Sequence, residues 1–587
     1  YAYDGAGNLA AKTDRNGNTT SYTYDSLNRV SSMVDGENGV TLYEYDEVGN
    51  VTAVIRPNEG VIRYEYDDLD RATSMTDAEG YRTTYVYDKD GLLLSETDPR
   101  GGKTTHEYDD EGKRTKTTSP MGFVTLYSYD ALGRLVATVD ADQGESKATY
   151  DANGRLTSVT TPLGLTTGYE YDSMGRLTKE TQQDGTTLKY EYDEKGNLVK
   201  ETDANGGVTV YTYDANDRLA SKTDPEGDVT RYSYNANHWI TSAEDGEGYL
   251  TQYQYDANGN VVSLIDGRGN STRFTYDGLN RLTMVVDAEE GVTTYTYDEI
   301  GNVTATSTPN DATVSSQYDK NGRKVSETDG EGYTTAYTYD GNGNLTSKTD
   351  PREGTTTYTY DADNRLTKVT TPMGFETAYV YDSLGQLVAV INANQGMDQA
   401  TYDADGRLTS VTTPLGLVTS YQYDRMGRIV KQVNPDNTSI QYTYDANGNR
   451  LTKTDARGNT TTYTYNKDNL LTSATDPEGG VVTYTYNKNH EAVTRTNEKG
   501  GVVTAVYDAN GNITQVTDAR GNSSTYGYDK LDRLTTVTTA EGNVTTYTYD
   551  GVGMTATVTR PTGGVFQNTY DKNSQVVQWT DSLENSE

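Results

Sequence analysis

The sequence predicts an all-β fold: antiparallel two-strand repeats of 21 residues that wind into a hollow spiral β-sheet, a shell or a tube. Three observations predict it. A Tyr-Asp pair returns at a fixed spacing of 21 residues. The stretches between pairs alternate strand-like and turn-like composition. The number of strands this implies is too large for a flat sheet.

The spacing can be read between Tyr192-Asp193 and Tyr213-Asp214, since 213 − 192 = 21. The register holds from Tyr3-Asp4 to Tyr570-Asp571. That span is 570 − 3 = 567 = 27 × 21, giving 28 Tyr positions with no net insertion or deletion. Asn replaces Asp in three copies, at Asn235, Asn466 and Asn487.

Each unit is read in order. Thr209-Val-Tyr-Thr-Tyr213 is β-branched and aromatic, the composition of a strand. Asp214 opens a turn, because an Asp side chain bonds the backbone just downstream of it. A Gly or Asn three residues later takes the positive φ that closes the turn, as in Asp151-Ala-Asn-Gly154 and Asp445-Ala-Asn-Gly448. Leu198-Val-Lys-Glu-Thr202 reads as a second strand. Asp203 opens a second turn, closed near Gly206, and Pro enters this turn at Pro99, Pro225, Pro351 and Pro477.

Short turns of this chemistry join antiparallel neighbours, so a continuous meander is expected. A β-solenoid with one unit per coil and parallel stacking is the alternative that composition leaves open. Two strands per unit gives 2 × 28 = 56 strands, roughly 270 Å of sheet at ~4.8 Å per strand. A sheet of that length is expected to curl, turn upon turn, and so cover most of its edges.

Composition sets further bounds. Hydrophobic residues are 33% of the chain and the net charge is −37. These values lean toward disorder, yet the regular placement of Tyr and Thr argues for folding. With 52 Tyr and 4 Phe, burial falls on Tyr and on the aliphatic residue after each first turn. Equivalent Tyr rings are expected to stack into ladders with their hydroxyls in water. The acidic charge follows from Asp-headed turns and disfavours nucleic acid and anionic membrane as partners. The absence of Cys excludes disulfides and thiolate metal sites. No apolar run is long enough for a membrane-spanning helix. The chain is read as a single continuous array, 1–587, and as a piece of a longer polypeptide.

A longer period lies above the short one. Pro120-Met-Gly-Phe123 returns as Pro372-Met-Gly-Phe375, and 372 − 120 = 252 = 12 × 21. His238 and His490 share that offset. Duplication of a twelve-unit block explains the pattern. A structural reading is also open: twelve units, or 24 strands, wrapped once would give a spiral about 35–40 Å across at ~4.8 Å per strand, but duplication leaves the same trace whatever the pitch.

No catalytic, cofactor-binding or metal-binding residue is assigned. The Tyr-Asp pair occurs in every unit, whereas an active site needs one unusual place. The turns such as Asp445 to Asn449 lack the spaced third carboxylate and closing Glu of a calcium loop. His106, His238 and His490 are far apart in sequence and form no motif, and Trp239 and Trp579 are expected to pack. Sequons such as Asn18-Thr-Thr20 and Asn302-Val-Thr304 arise from the repeat itself.

The unit Tyr-Asp-x-x-Gly-x-Leu-x-x-x-Thr-Asp-x-x-Gly-x-x-Thr-x-Tyr-x-Tyr-Asp resembles the YD repeat of the Rhs family. That family includes bacterial Rhs proteins, the cocoon-forming component of Tc toxins and the YD shell of teneurins. The resemblance covers essentially the whole chain. It implies a non-enzymatic shell or tube in a large secreted or cell-surface bacterial protein. It also implies two alternatives, a carbohydrate-binding adhesin and a cocoon around a C-terminal toxin outside this chain. The partners implied are the rest of the same polypeptide or self-association, with encapsulated cargo or glycans. The Asp-Pro-x-Gly-Leu type cleavage motif of toxin relatives is absent, so autoproteolysis is not carried over.

Overall fold

A computed structural model describes residues 1–582. It contains 56 strands and, among the described residues, no helix. After a short opening strand, Ala2–Tyr3, five-residue strands such as Leu198–Thr202 alternate with six-residue strands such as Val208–Tyr213. Each strand pairs antiparallel with the next one in the chain. The meander is therefore the architecture, and the parallel solenoid is not.

The turns explain why the meander stays tight. The Asp193 amide donates to the Asn197 carbonyl at 3.0 Å, and the Gly196 amide donates to the Asp193 carbonyl at 3.2 Å. Asp193 Oδ1 accepts the amides of Lys195, Gly196 and Asn197 at 2.8–2.9 Å. One carboxylate oxygen thus satisfies the amides that a tight loop would otherwise leave unpaired. Gly196 has φ +101°, and Asn28 takes the same place with φ +60°. The second turn repeats the chemistry, with Asp203 Oδ1 accepting from Asn205 and Gly207.

A bulge in each unit supplies curvature. Thr212 pairs with Ser221, but Tyr213 pairs with Leu219, so the register skips Ala220. The same shift recurs at Tyr192 and Tyr234. Bulges bend a strand and increase its twist, and here they recur along one edge of the sheet. A bend repeated with one sign winds the sheet into a spiral.

The wall is one sheet thick, since each strand touches only its sequence neighbours. Tyr211 and Tyr213 lie on one face, half-buried, while Val210 and Thr212 are exposed on the other. The second face carries hydroxyl pairs, as between Thr212 and Ser221 at 2.6 Å. Full burial among the described residues is rare and falls on small side chains such as Ala53, Ser74 and Ser95. Among the described residues there is no separate core; half-buried side chains on the Tyr face take its place.

The expected Tyr ladder is corrected by the structure. Equivalent rings are two strands apart, about 9.6 Å, beyond the separation at which aromatic rings pair. Their hydroxyls are not left in water either. Tyr213 Oη donates to the Leu198 carbonyl at 2.9 Å, and Tyr192 and Tyr171 do the same to Leu177 and Leu156. Burial raises the Tyr213 phenol pKa above its ordinary value. Arg fills the space between rings: Arg218 lies 4.7 Å over Tyr234 and Arg176 lies 4.8 Å over Tyr192.

Tyr213→Phe is therefore expected to cost about 1 kcal/mol, one buried hydrogen bond, in urea unfolding, with an unchanged far-UV circular dichroism spectrum. No measurable loss would show that this hydroxyl bond is dispensable.

Candidate functional site

The functional element is the seam where one coil meets the next. Each first turn, headed by the Asp after Tyr, lies on one edge of the sheet, and each second turn lies on the other. Winding brings second turns against first turns one coil later. Asn16 Nδ2 donates to Asp256 Oδ2 at 2.8 Å, and Asn258 Nδ2 donates back to Asp14 Oδ2 at 2.7 Å. The offset is 256 − 14 = 242 residues. Twenty-three strands, Thr19–Tyr24 through Leu250–Tyr255, lie between the two loops. One turn of the spiral is therefore 23 strands, one fewer than the 24 of the twelve-unit block, because loops on opposite edges meet. At ~4.8 Å per strand the circumference is about 110 Å and the width about 35 Å.

The seam follows a donor–acceptor rule. The third residue of a first turn is often Asn, and it donates to the Asp that heads the second turn beneath it. Asn342 bonds Asp98, Asn447 bonds Asp203, Asn489 bonds Asp245 and Asn510 bonds Asp266, all at 2.7–2.8 Å. The polarity reverses where the head is Ser or Thr: Ser119 donates to Asp363 and Thr161 donates to Asp405, both at 2.9 Å. Backbone amides add charge-assisted bonds, with Lys530 N donating to Glu289 and Lys488 N to Glu247 at 2.8 Å. Arg268 clamps the next coil through the carbonyls of Tyr528 and Asp529 and the carboxylate of Asp532. The coils approach closely: a Cβ on Gly267 would lie 2.4 Å from the Ala509 carbonyl oxygen.

Many head carboxylates thus have two tasks. Oδ1 folds its turn, and Oδ2 takes an Arg, an Asn or the neighbouring coil. Arg218 Nε donates to Asp214 Oδ2 at 2.7 Å, and its Nη1 donates to the Asn235 carbonyl at 3.0 Å. The Arg218 hydrogen bond lowers the Asp214 pKa from 3.8 to about 2, against the opposing effect of burial. Burial pushes Asp266 up, but the bonds from Asn510 and Asn270 outweigh it and hold the carboxyl below its ordinary value.

The rule breaks where both seam residues are acids. Asp468, the third residue of its first turn, sits opposite Asp224. Burial first, then the Asp224 charge, raises the Asp468 pKa. Burial and Asp224 likewise raise Asp228. His490 Nε2 lies 3.1 Å from Asp224 Oδ2 and 3.5 Å from Asp468 Oδ2.

The residues singled out from sequence fall as follows. His106 Nδ1 lies 3.2 Å from the Thr117 hydroxyl, and burial with Arg114 nearby lowers its pKa. His238 holds a turn at φ +67°. Trp239 packs 5.2 Å from Tyr255, and Trp579 stacks 6.5 Å from Phe566. Asp445 serves its turn through Oδ1 and accepts Asn205 across the seam through Oδ2. His490 alone of the three histidines meets carboxylates from another coil. Sequence reasoning missed the Arg rungs, although Asp-x-x-Gly-Arg recurs in the sequence. It missed the seam partners because they lie some 242 residues apart.

The fold and the seam define a structural element, a spiral β-shell built from one continuous wall. The chain belongs to the RHS repeat family. The RHS Repeat model matches in sixteen windows, most of them overlapping, between residues 150 and 565, which together cover more than half the chain. The Teneurin YD-shell model matches residues 1–146. No curated protein matches the sequence significantly. Solved structures with the same fold include TcdB2-TccC3-TEV, at 15% identity and a TM-score of 0.60 over 96% of this chain. TcdB2-TccC3 without its hypervariable C-terminal region matches at 16% identity and 0.57 over 97% of this chain. The Photorhabdus luminescens Tc holotoxin pore matches at 15% and 0.50 over 95%. The chain spans 34%, 34% and 37% of those three chains.

Carboxylates held ionised below their ordinary range stabilise the fold fully above about pH 4, and that contribution is lost as the pH falls through the folded value. For Asp214 the window runs from 3.8 down to about 2. Acid unfolding followed by circular dichroism is expected to fall in that range. A main transition above about pH 5 would contradict the assigned role of these carboxylates.

Proposed function

We propose that this chain builds the wall of a hollow enclosure in a large secreted or cell-surface bacterial protein, and that it works by shielding rather than by catalysis. The observation that carries the reading is the seam: loops 242 residues apart bond each other, so successive coils close into a wall instead of leaving a ribbon. Lining up a second turn under a first turn needs an exact unit length, which the register of 21 residues keeps. The rest of the same polypeptide is its natural partner.

A second reading adds a cargo. The similar folds belong to TcdB2-TccC3 structures and to a Tc holotoxin pore, and this chain spans about a third of their length. Enclosure of a toxin segment encoded outside residues 1–587 fits that likeness.

Asn447→Asp, Asn510→Asp and Asn258→Asp together would face carboxylate with carboxylate at three seam points. The variant is expected to keep its β circular dichroism, because its ladders lie within coils. Its radius of gyration by X-ray scattering should rise roughly 1.5-fold or more as coils separate, given the ~270 Å length of an unwound sheet. The parent chain should appear as a hollow particle about 35 Å wide by electron cryo-microscopy. A solid or ribbon-like parent particle would refute the enclosure.

A further inference from the structure

At one place among the described residues, Asp468 on Asp224, the seam lacks the Asn donor that serves it elsewhere. Elsewhere an Asn stands between two acceptors: Asn447 Nδ2 bonds Asp203 below and Asn469 beside it. At the equivalent place Asp468 faces Asp224, and His490 occupies the position that Asn469 holds one unit earlier. An imidazole carries at most one proton on Nε2, so that atom cannot donate a full hydrogen bond to each carboxylate. Asp468 Oδ2 has no hydrogen-bond partner, and the Asp468 side chain is only 5% exposed. This buried, unpartnered oxygen points at His490 Nε2.

A fourth group completes the cluster. Asp228 closes the second turn headed by Asp224, at a place where Gly207 and Gly480 stand in other units. One ligand atom each from Asp224, Asp228 and His490 lies within 4.8 Å of the others. Ligand atoms about 2.0–2.2 Å from a tetrahedral cation would be about 3.3–3.6 Å apart, so small side-chain rotations bring these three to that spacing, and Asp468 joins them through its Oδ2, 3.5 Å from His490 Nε2. His490 is also held at φ +66°, in the left-handed region where most units place Gly.

We propose that Asp224, Asp228, Asp468 and His490 form a binding site for a divalent transition-metal cation, which bolts one coil to the next. Three carboxylate oxygens and one imidazole nitrogen suit Zn²⁺ better than the all-oxygen cations. The ligands come from loops up to 266 residues apart, so the cation joins two coils and neither coil alone supplies the set.

The test is calorimetric titration of the chelator-treated full chain with zinc chloride, at a salt level that screens the general acidic charge. One tight site is expected. Asp468→Asn and Asp228→Gly should each weaken it at least tenfold. Both variants place in the turn a residue that other units already carry, and circular dichroism confirms that they fold. Asp468→Asn should also raise the metal-free melting temperature, because it restores the Asn-to-Asp bond. A hundredfold excess of calcium should leave zinc bound. No saturable zinc binding, binding indifferent to both variants, or equal competition by calcium would each overturn the proposal.

Discussion

Everything in this structure depends on what the two oxygens of one carboxylate do. The Asp at the head of a turn uses Oδ1 to collect the amides of its own loop. It uses Oδ2 to reach a neighbour: Arg218 for Asp214, Asn447 for Asp203. The first task makes the hairpin, and the second joins hairpins along the wall or coils across the seam. A large negative charge is the consequence of repeating that device. It is tolerated because carboxylates such as those of Asp193 and Asp214 meet backbone amides and an Asn or Arg side chain that favour the ionised form.

A wall one sheet thick has little apolar core to rely on. Its stability comes from many small, equivalent contributions: a Tyr hydroxyl on a backbone carbonyl, an Arg over the next Tyr, a ladder on each side. Such an array is quasi-one-dimensional within a coil. The seam changes that, because a loop is then also coupled to one some 242 residues away. The bulge before each first turn supplies the bend, and the seam fixes how far the bend must carry. The lumen follows from these two features together.

Much of the fold was legible in the sequence. Tyr-Asp at fixed spacing, β-branched runs and Asp-x-x-Gly turns gave the strands, the antiparallel order and the curl. The coil size stayed open in the sequence: the 252-residue block lies close to one turn of the spiral, but duplication of a block leaves the same trace at any pitch. The turn is one strand shorter than that block because opposite edges of the sheet meet at the seam. The Tyr ladder was misjudged even though the two-strand unit already sets equivalent rings two strands, about 9.6 Å, apart. The Asp224, Asp468 and His490 cluster was not legible at all. Each residue occupies an ordinary turn position, and only the winding brings the three together.

The central claim is that coils contact each other at an offset of about 242 residues. Spin labels at positions 289 and 530, where Lys530 N meets the Glu289 carboxylate at 2.8 Å, measure this directly by double electron–electron resonance. A closed spiral predicts a narrow distance distribution below about 25 Å. An unwound sheet would hold the labels about 110 Å apart, 23 strands at ~4.8 Å, and give no measurable coupling.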